Sequence, residues 1–272
     1  MKPLANQPIG LFDSGVGGLT VARAISQLLP HETLIYFGDT AHMPYGERSN
    51  EHIILYATRI AEFLVEQGAK MLVIACNSAS AVAFDVLKEK YRGQLDVVGV
   101  IAPVVDYLVA RPYQKIGIIG TKATIGSQQH EKRLKLVKPE QAVSAIPTPL
   151  LAAMVEEGFV NNDISRSVIK AYLSNNSLAN IDAIVLACTH YPLIKQDIAD
   201  YYQHQVDVID TTEIVADAVK ASLQAQDLLN TTRTAPDRFY VSEYTEAFEK
   251  TARLFYGEEV RIEEVDLWNE TV

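Results

Sequence analysis

Two peptides constrain this chain more than any other feature: Met71-Leu-Val-Ile-Ala-Cys76-Asn77-Ser78 and Ala183-Ile-Val-Leu-Ala-Cys188-Thr189-His190. Each is a short apolar run that stops at a cysteine and continues in hydrogen-bonding side chains. A run of four or five such residues between helical patterns reads as a strand buried on both faces, inside a parallel sheet. Ligands of open α/β sheets sit beyond the carboxyl ends of such strands, so both cysteines stand where chemistry is done. They are the only two in 272 residues. One thiol from each half of a chain suits a reaction that takes a proton from one face of a carbon and returns one to the other.

The bland alternative is that both are core residues, because free cysteine usually behaves as a small buried hydrophobe. A single cysteine would be read that way. Two in the same local context, each followed by polar residues, argue for function. A stable disulfide is not expected: the N-terminus carries one lysine and no apolar core of a secretory signal, which points to a reducing, cytoplasmic setting. No metal is expected either, because the two cysteines and the nearby histidine lack any Cys-x-x-Cys or His-x-x-x-His spacing.

The length supports about two domains. No apolar stretch approaches the roughly 18 residues of a membrane span, so no membrane partner is expected. A formal net charge of −10 repels phosphate backbones and disfavours nucleic acid as a partner. An anionic small molecule must then be held by local donors such as backbone N–H groups.

Strands alternate with helices along the chain. Ile9-Gly-Leu-Phe-Asp13 reads as a strand, Ser14-Gly-Val-Gly-Gly18 as a turn, and a helix follows to Leu29. Thr33 to Phe37 is a second strand, followed by the loop Gly38 to Gly46, a helix from about Asn50 to Gln67, and the first cysteine strand. A second series starts at Lys115-Ile-Gly-Ile-Ile-Gly120-Thr121, passes a helix from about Ser127 and another from Ile164 to Leu173, and reaches the second cysteine strand. Ile9-Gly10 recurs as Ile116-Gly117 after 107 positions, and Cys76 recurs as Cys188 after 112. These similar offsets indicate an internal duplication. The expected fold is α/β, with two pseudo-symmetric domains of mostly parallel sheet facing each other across an active-site cleft. Residues 1–98 plus 209–272 would carry Asp13 and Cys76, and residues 99–208 would carry Cys188. The last segment, with helical patterns at 211–226 and 243–256 and a strand at Arg238 to Val241, has no counterpart and is expected to pack back on the first domain.

Several polar residues have both a bland and a functional reading. Asp13 to Gly18 resembles a dinucleotide fingerprint, but Thr20 stands where its third glycine belongs. What remains is a strand end feeding a glycine turn and a helix N-terminus, which suits a carboxylate, with Ser14 as an added donor. Asp13 is either a helix cap or a catalytic helper. Pro44-Tyr45-Gly46 alone is a turn. Glu156 is by default a solvated carboxylate, and Glu157 is equally eligible. His190 can polarise the Cys188 thiol or simply sit satisfied at a helix start.

Taken together, Phe12-Asp-Ser-Gly-Val-Gly-Gly-Leu-Thr-Val21, Gly38-Asp-Thr-Ala41 with Pro44-Tyr-Gly46, Ala75-Cys-Asn-Ser-Ala79 and Ala187-Cys-Thr-His-Tyr-Pro192 resemble the bacterial glutamate racemases. The four blocks keep that family's order and spacing over nearly the whole chain. Thr189-His190 after the second cysteine resembles the glutamate enzymes and not the aspartate ones, where Thr-Glu is typical. The resemblance implies a cofactor-independent reaction with Cys76 taking the α-proton of D-glutamate and Cys188 that of L-glutamate. It implies substrate contacts from Asp13, Ser14, Tyr45, Gly46, Asn77, Ser78, Thr189 and His190, with Asp13, Glu156 and His190 as auxiliary catalytic groups. It further implies supply of D-glutamate for peptidoglycan, and a homodimer is the expected assembly. Ser78, Ala187 and Ala152-Ala-Met154 depart from the family's usual Thr, Gly and Val-Pro-Leu, without removing a base. Racemisation of another acidic amino acid, or a protein that only clamps such a ligand, remain the alternatives.

Overall fold

The computed structural model describes residues 3–233, 235–257 and 260–268. The first part of the chain runs β1 (Ile9–Asp13), α1 (Leu19–Leu28), β2 (Leu34–Gly38), α2 (Asn50–Glu66), β3 (Met71–Ile74), α3 (Asn77–Lys90), β4 (Asp96–Gly99) and α4 (Ile101–Val109). The second runs β5 (Lys115–Gly120), α5 (Lys122–Ser127), α6 (Gln129–Val137), β6 (Ala142–Pro147), α7 (Pro149–Glu156), α8 (Asp163–Leu173), β7 (Ala183–Ala187), α9 (Lys195–Tyr201) and β8 (Asp207–Ile209). The chain then returns through α10 (Thr211–Ala225), β9 (Arg238–Val241), α11 (Glu246–Tyr256) and β10 (Ile262–Glu264).

The strands form two sheets, ordered β10-β9-β2-β1-β3-β4 and β6-β5-β7-β8, and every pairing is parallel. The second order repeats β2-β1-β3-β4 of the first. Register carries the repeat to the residue: Ile9 pairs Met71 in one sheet, and Ile116 pairs Ala183 in the other. The returning segment has no counterpart in the second sheet. β9 adds to β2, and β10 adds to β9, so the last strands extend the first sheet. Residues 1–2, 234, 258–259 and 269–272, included above in the first domain, lie outside the described residues.

Strand periodicity explains the layers, because successive side chains point to opposite faces. Leu11, Tyr36, Met71 and Val73 enter the core shared with α1 and α10, which continues into the second sheet through Ile118, Val185 and Leu186. Phe12, Ile35, Phe37, Leu72 and Ile74 enter a separate core against α2 and α3. The returning segment is tied down near its start by Lys70, whose fully buried ammonium donates to Glu32 at 2.6 Å and to the Leu228 carbonyl at 2.8 Å.

Four observed strands fall outside the sequence reading, among them the three-residue β10 at the end of the first sheet. β4 and β8 are short, and β6 is a half-exposed edge strand without the continuous apolar run that marks the others. The helix expected from about Ser127 is α6, from Gln129, and a further short helix, α5, ends at Ser127. They are separated by Gln128 in a left-handed conformation, φ 57°, which interrupts the hydrogen-bond ladder.

Candidate active site

In each sheet the chain leaves the first strand to one side and returns to the other, so the order reverses beside β1 and β3 in one sheet and beside β5 and β7 in the other. Such switch points open a crevice at the carboxyl ends of the strands. Ser14 follows β1, Cys76 follows β3, Thr121 follows β5 and Cys188 follows β7. These four residues line one pocket, together with Met43, Pro44, Tyr45, Gly46, Asn77, Ser78, Ala152, Glu156, Thr189 and His190. Only about 30 Å³ of it is open to water, space for a few solvent molecules at most.

Cys76 is 5 % exposed and caps α3, its sulfur accepting from the Ala79 N–H at 3.4 Å. Its thiol faces the Ser14 hydroxyl at 3.8 Å. Burial, followed by the negative charge of Asp13, pushes this thiol well above its ordinary range, against the Ala79 and Ser14 hydrogen bonds. The resting form of Cys76 is therefore the thiol. Asp13 is fully buried, and its Oδ2 accepts from the Gly18 N–H at the start of α1 at 2.8 Å. Asp13 is not the cap that the bland reading made it: Gly18 is the N-cap of α1, without a side-chain cap, and the Asp13 carboxylate ties down the turn before the helix. Its Oδ1 has no hydrogen-bond partner, and it acts on Cys76 by charge rather than by lining the pocket.

Cys188 has a different neighbour. His190 Nδ1 lies 3.7 Å from its sulfur, and His190 Nε2 lies 2.7 Å from Glu156 Oε1. Burial alone pulls the imidazole down, but the hydrogen bonds and charges of Cys188 and Glu156 together raise it to about 10. Near neutrality His190 is an imidazolium, and a cation at that distance stabilises negative charge on the Cys188 sulfur. The structure brings Glu156, and not Glu157, into the pocket, at the end of α7.

Asn77 and Ser78 begin α3, and the first N–H groups of a helix lack intrahelical acceptors. Tyr45 and Gly46 likewise open a short 3₁₀ turn, and Thr189 and His190 precede another at Tyr191–Ile194. The pocket is thus ringed by open backbone donors, the local anion site that the acidic chain requires. The Asn77 amide nitrogen is buried without a partner and adds a side-chain donor. The Tyr45 hydroxyl is committed to Asp39 Oδ2 at 2.6 Å, so Tyr45 offers the pocket its backbone.

Two glycines let the sheets' loops meet. A Cβ on Gly17 would stand 2.3 Å from Thr189 Oγ1 and 2.6 Å from the His190 ring, and one on Gly46 would stand 2.7 Å from Thr121 Cβ. Thr121 was missed in the sequence, although the 107-position offset maps Ser14 onto it. It bonds the Ser78 hydroxyl across the junction at 2.8 Å. Met43 and Ala152 had no signal beyond their neighbours in sequence. Asp39, held by Tyr45, Ser242 and His42, is the buried anchor behind the Tyr45 wall.

The sequence profile of the Asp/Glu/Hydantoin racemase family matches residues 18–219. A glutamate racemase of Geobacter metallireducens is 39% identical over 251 residues, covering 92% of this chain and 92% of that protein. That of Syntrophus aciditrophicus is 40% identical over 252 residues, covering 92% and 93%. The crystal structure of glutamate racemase from Francisella tularensis in complex with D-glutamate aligns with a TM-score of 0.90 at 37% identity, covering 97% of this chain and 99% of that one.

Proposed function

The chain belongs to the Asp/Glu/Hydantoin racemase family, and on that premise we propose that it interconverts L- and D-glutamate with Cys76 and Cys188 as its two bases. The observation that carries this reading is the placement of both thiols at equivalent strand ends of a duplicated sheet, lining one pocket. The two sheets with their helices act as the two lobes, the return after β8 belonging to the first.

L-Glutamate binds with its carboxylates on the open N–H groups at Asn77-Ser78, Tyr45-Gly46 and Thr189-His190, and its ammonium toward Ser14 and the Asp13 charge. The Cys188 thiolate removes the α-proton. The electron pair left on carbon takes the proton of the Cys76 thiol from the opposite face, giving D-glutamate with Cys76 as thiolate and Cys188 as thiol. D-Glutamate reverses each step. The α-hydrogen is very weakly acidic, so the ring of fixed donors must stabilise the developing carbanion, and closure of the lobes keeps water from competing for the proton. The raised Cys76 thiol suits it to the acid's part when L-glutamate is bound, and the His190 imidazolium stands beside the sulfur that then acts as base. Both proton steps are supplied by the chain, and no cofactor enters them. Supply of D-glutamate for peptidoglycan in the cytoplasm, by a homodimer, completes the reading.

The test is to incubate purified protein with L-glutamate in deuterium oxide. The circular dichroism should decay to zero, and deuterium should enter the α-carbon without added cofactor. A protein that only binds glutamate leaves the signal and the α-hydrogen unchanged, and decay with aspartate alone would reassign the substrate.

A further inference from the structure

His190 is enclosed by both lobes. Its own lobe supplies the polar partners, Cys188 and Thr189 toward Nδ1 and Glu156 at Nε2. The first lobe supplies the cover. Gly17 leaves room for the ring, and Phe255 of α11 packs against it with centroids 5.2 Å apart and the planes at 78°. Phe255 is 1 % exposed and also walls a groove of about 540 Å³ between α1, α10 and the turn at Pro192-Leu193. The ring is thus the partition between that groove and the histidine. An ordinary core phenylalanine needs only apolar neighbours. This one spends an edge-to-face contact on the one imidazole that serves a thiol.

We propose that Phe255 is a positioning residue for the Cys188 half of the site: its packing holds the His190 ring in the orientation that serves the Cys188 sulfur and Glu156. The inference rests on the two-thiol reading and deepens it, giving the returning C-terminal segment a part in the chemistry. Hydrogen bonds and charges of Cys188 and Glu156 are what raise the imidazole, so a ring free to turn loses part of that support. Replacement by an aliphatic side chain of similar bulk keeps the core filled but frees the ring to turn. A displacement near 1 Å in such a group is costly to catalysis even when binding survives.

Equilibrium ties kcat/KM in the two racemisation directions together, so the half-sites are separated with a glutamate analogue that carries a leaving group on its β-carbon. Elimination needs only removal of the α-proton, by Cys188 from the L analogue and by Cys76 from the D analogue. In Phe255→Leu, elimination from the L analogue should fall on the order of 10- to 100-fold with kcat affected more than KM, while the D analogue keeps its rate. Phe255→Tyr, which retains the ring, should restore it. Equal loss for both enantiomers, a loss confined to the D analogue, or no loss overturns the inference. Cys76→Ser and Cys188→Ser are run alongside, and absence of any enantiomer preference in them is the failure of the two-thiol reading itself. A second readout is independent of that reading: the His190 titration followed by NMR should move to lower pH in Phe255→Leu and return in Phe255→Tyr. An unmoved titration overturns the inference whatever the elimination rates are.

Discussion

The two thiols are alike in burial and unlike in what surrounds them. Cys76 has a buried carboxylate behind it, and Cys188 has an imidazolium in front. Replacing Asp13 by Asn tests the first environment, because Asn can still accept the Gly18 N–H while the charge is gone. The Cys76 thiol should then ionise at lower pH. Where that thiol is the acid, the alkaline limb of log(kcat/KM) should move down in pH; an unmoved limb means the Asp13 charge is not felt at the sulfur. Glu156→Gln tests the second. It removes one of the two partners that raise His190, so the NMR titration of the ring should move down from about 10. The folded-state value lies above the roughly 6.5 of an unfolded histidine. The pair's contribution to stability is therefore fully present below about 6.5 and lost as pH rises through about 10. Unfolding at pH 6 should show a larger deficit of Glu156→Gln against wild type than unfolding above pH 10. A deficit that does not change across this range contradicts the assigned charge.

At the scale of elements, what was legible in the sequence was what burial makes regular. β1, β3, β5 and β7 are central strands with near-continuous apolar runs, and the ends of β1, β3 and β7 announced the pocket. β4, β6, β8 and β10 were not legible because a strand of three to six residues without such a run gives no periodicity to read. Gln128 was not legible because a non-glycine residue in a left-handed turn carries no composition signal. Glu156 could be chosen over Glu157 only through the resemblance, since the helix phase that turns one carboxylate to His190 depends on where α7 begins. Gly17 looked like a generic turn residue, yet its lack of a side chain sets how closely the α1 turn approaches Thr189 and His190. Gly17→Ala should keep the far-UV spectrum and lose about 1–3 kcal/mol of stability, the usual cost of overpacking, with activity falling further than stability accounts for. Wild-type turnover in this variant would show that the close approach of the two loops is not needed.

For the whole molecule, duplication is the organising fact. A single α/β unit can offer one base at its switch point, and two such units face to face offer two on opposite sides of a bound carbon. The returning segment then fastens the first lobe through the buried Lys70 and Glu32 and reaches the junction through Phe255. The narrow pocket between the two strand-end clusters suits turnover in which closure excludes water from the reacting carbon. The central claim is that each thiol serves one face of the α-carbon, and the measurement closest to it uses Cys76→Ser and Cys188→Ser with β-leaving-group analogues of D- and L-glutamate. Each variant should lose racemisation on the order of 10²- to 10⁴-fold, the usual worth of a placed acid or base. Cys188→Ser should still eliminate from the D analogue, and Cys76→Ser from the L analogue. Racemisation at wild-type rates in both variants, or equal loss of elimination from both enantiomers, would contradict the account.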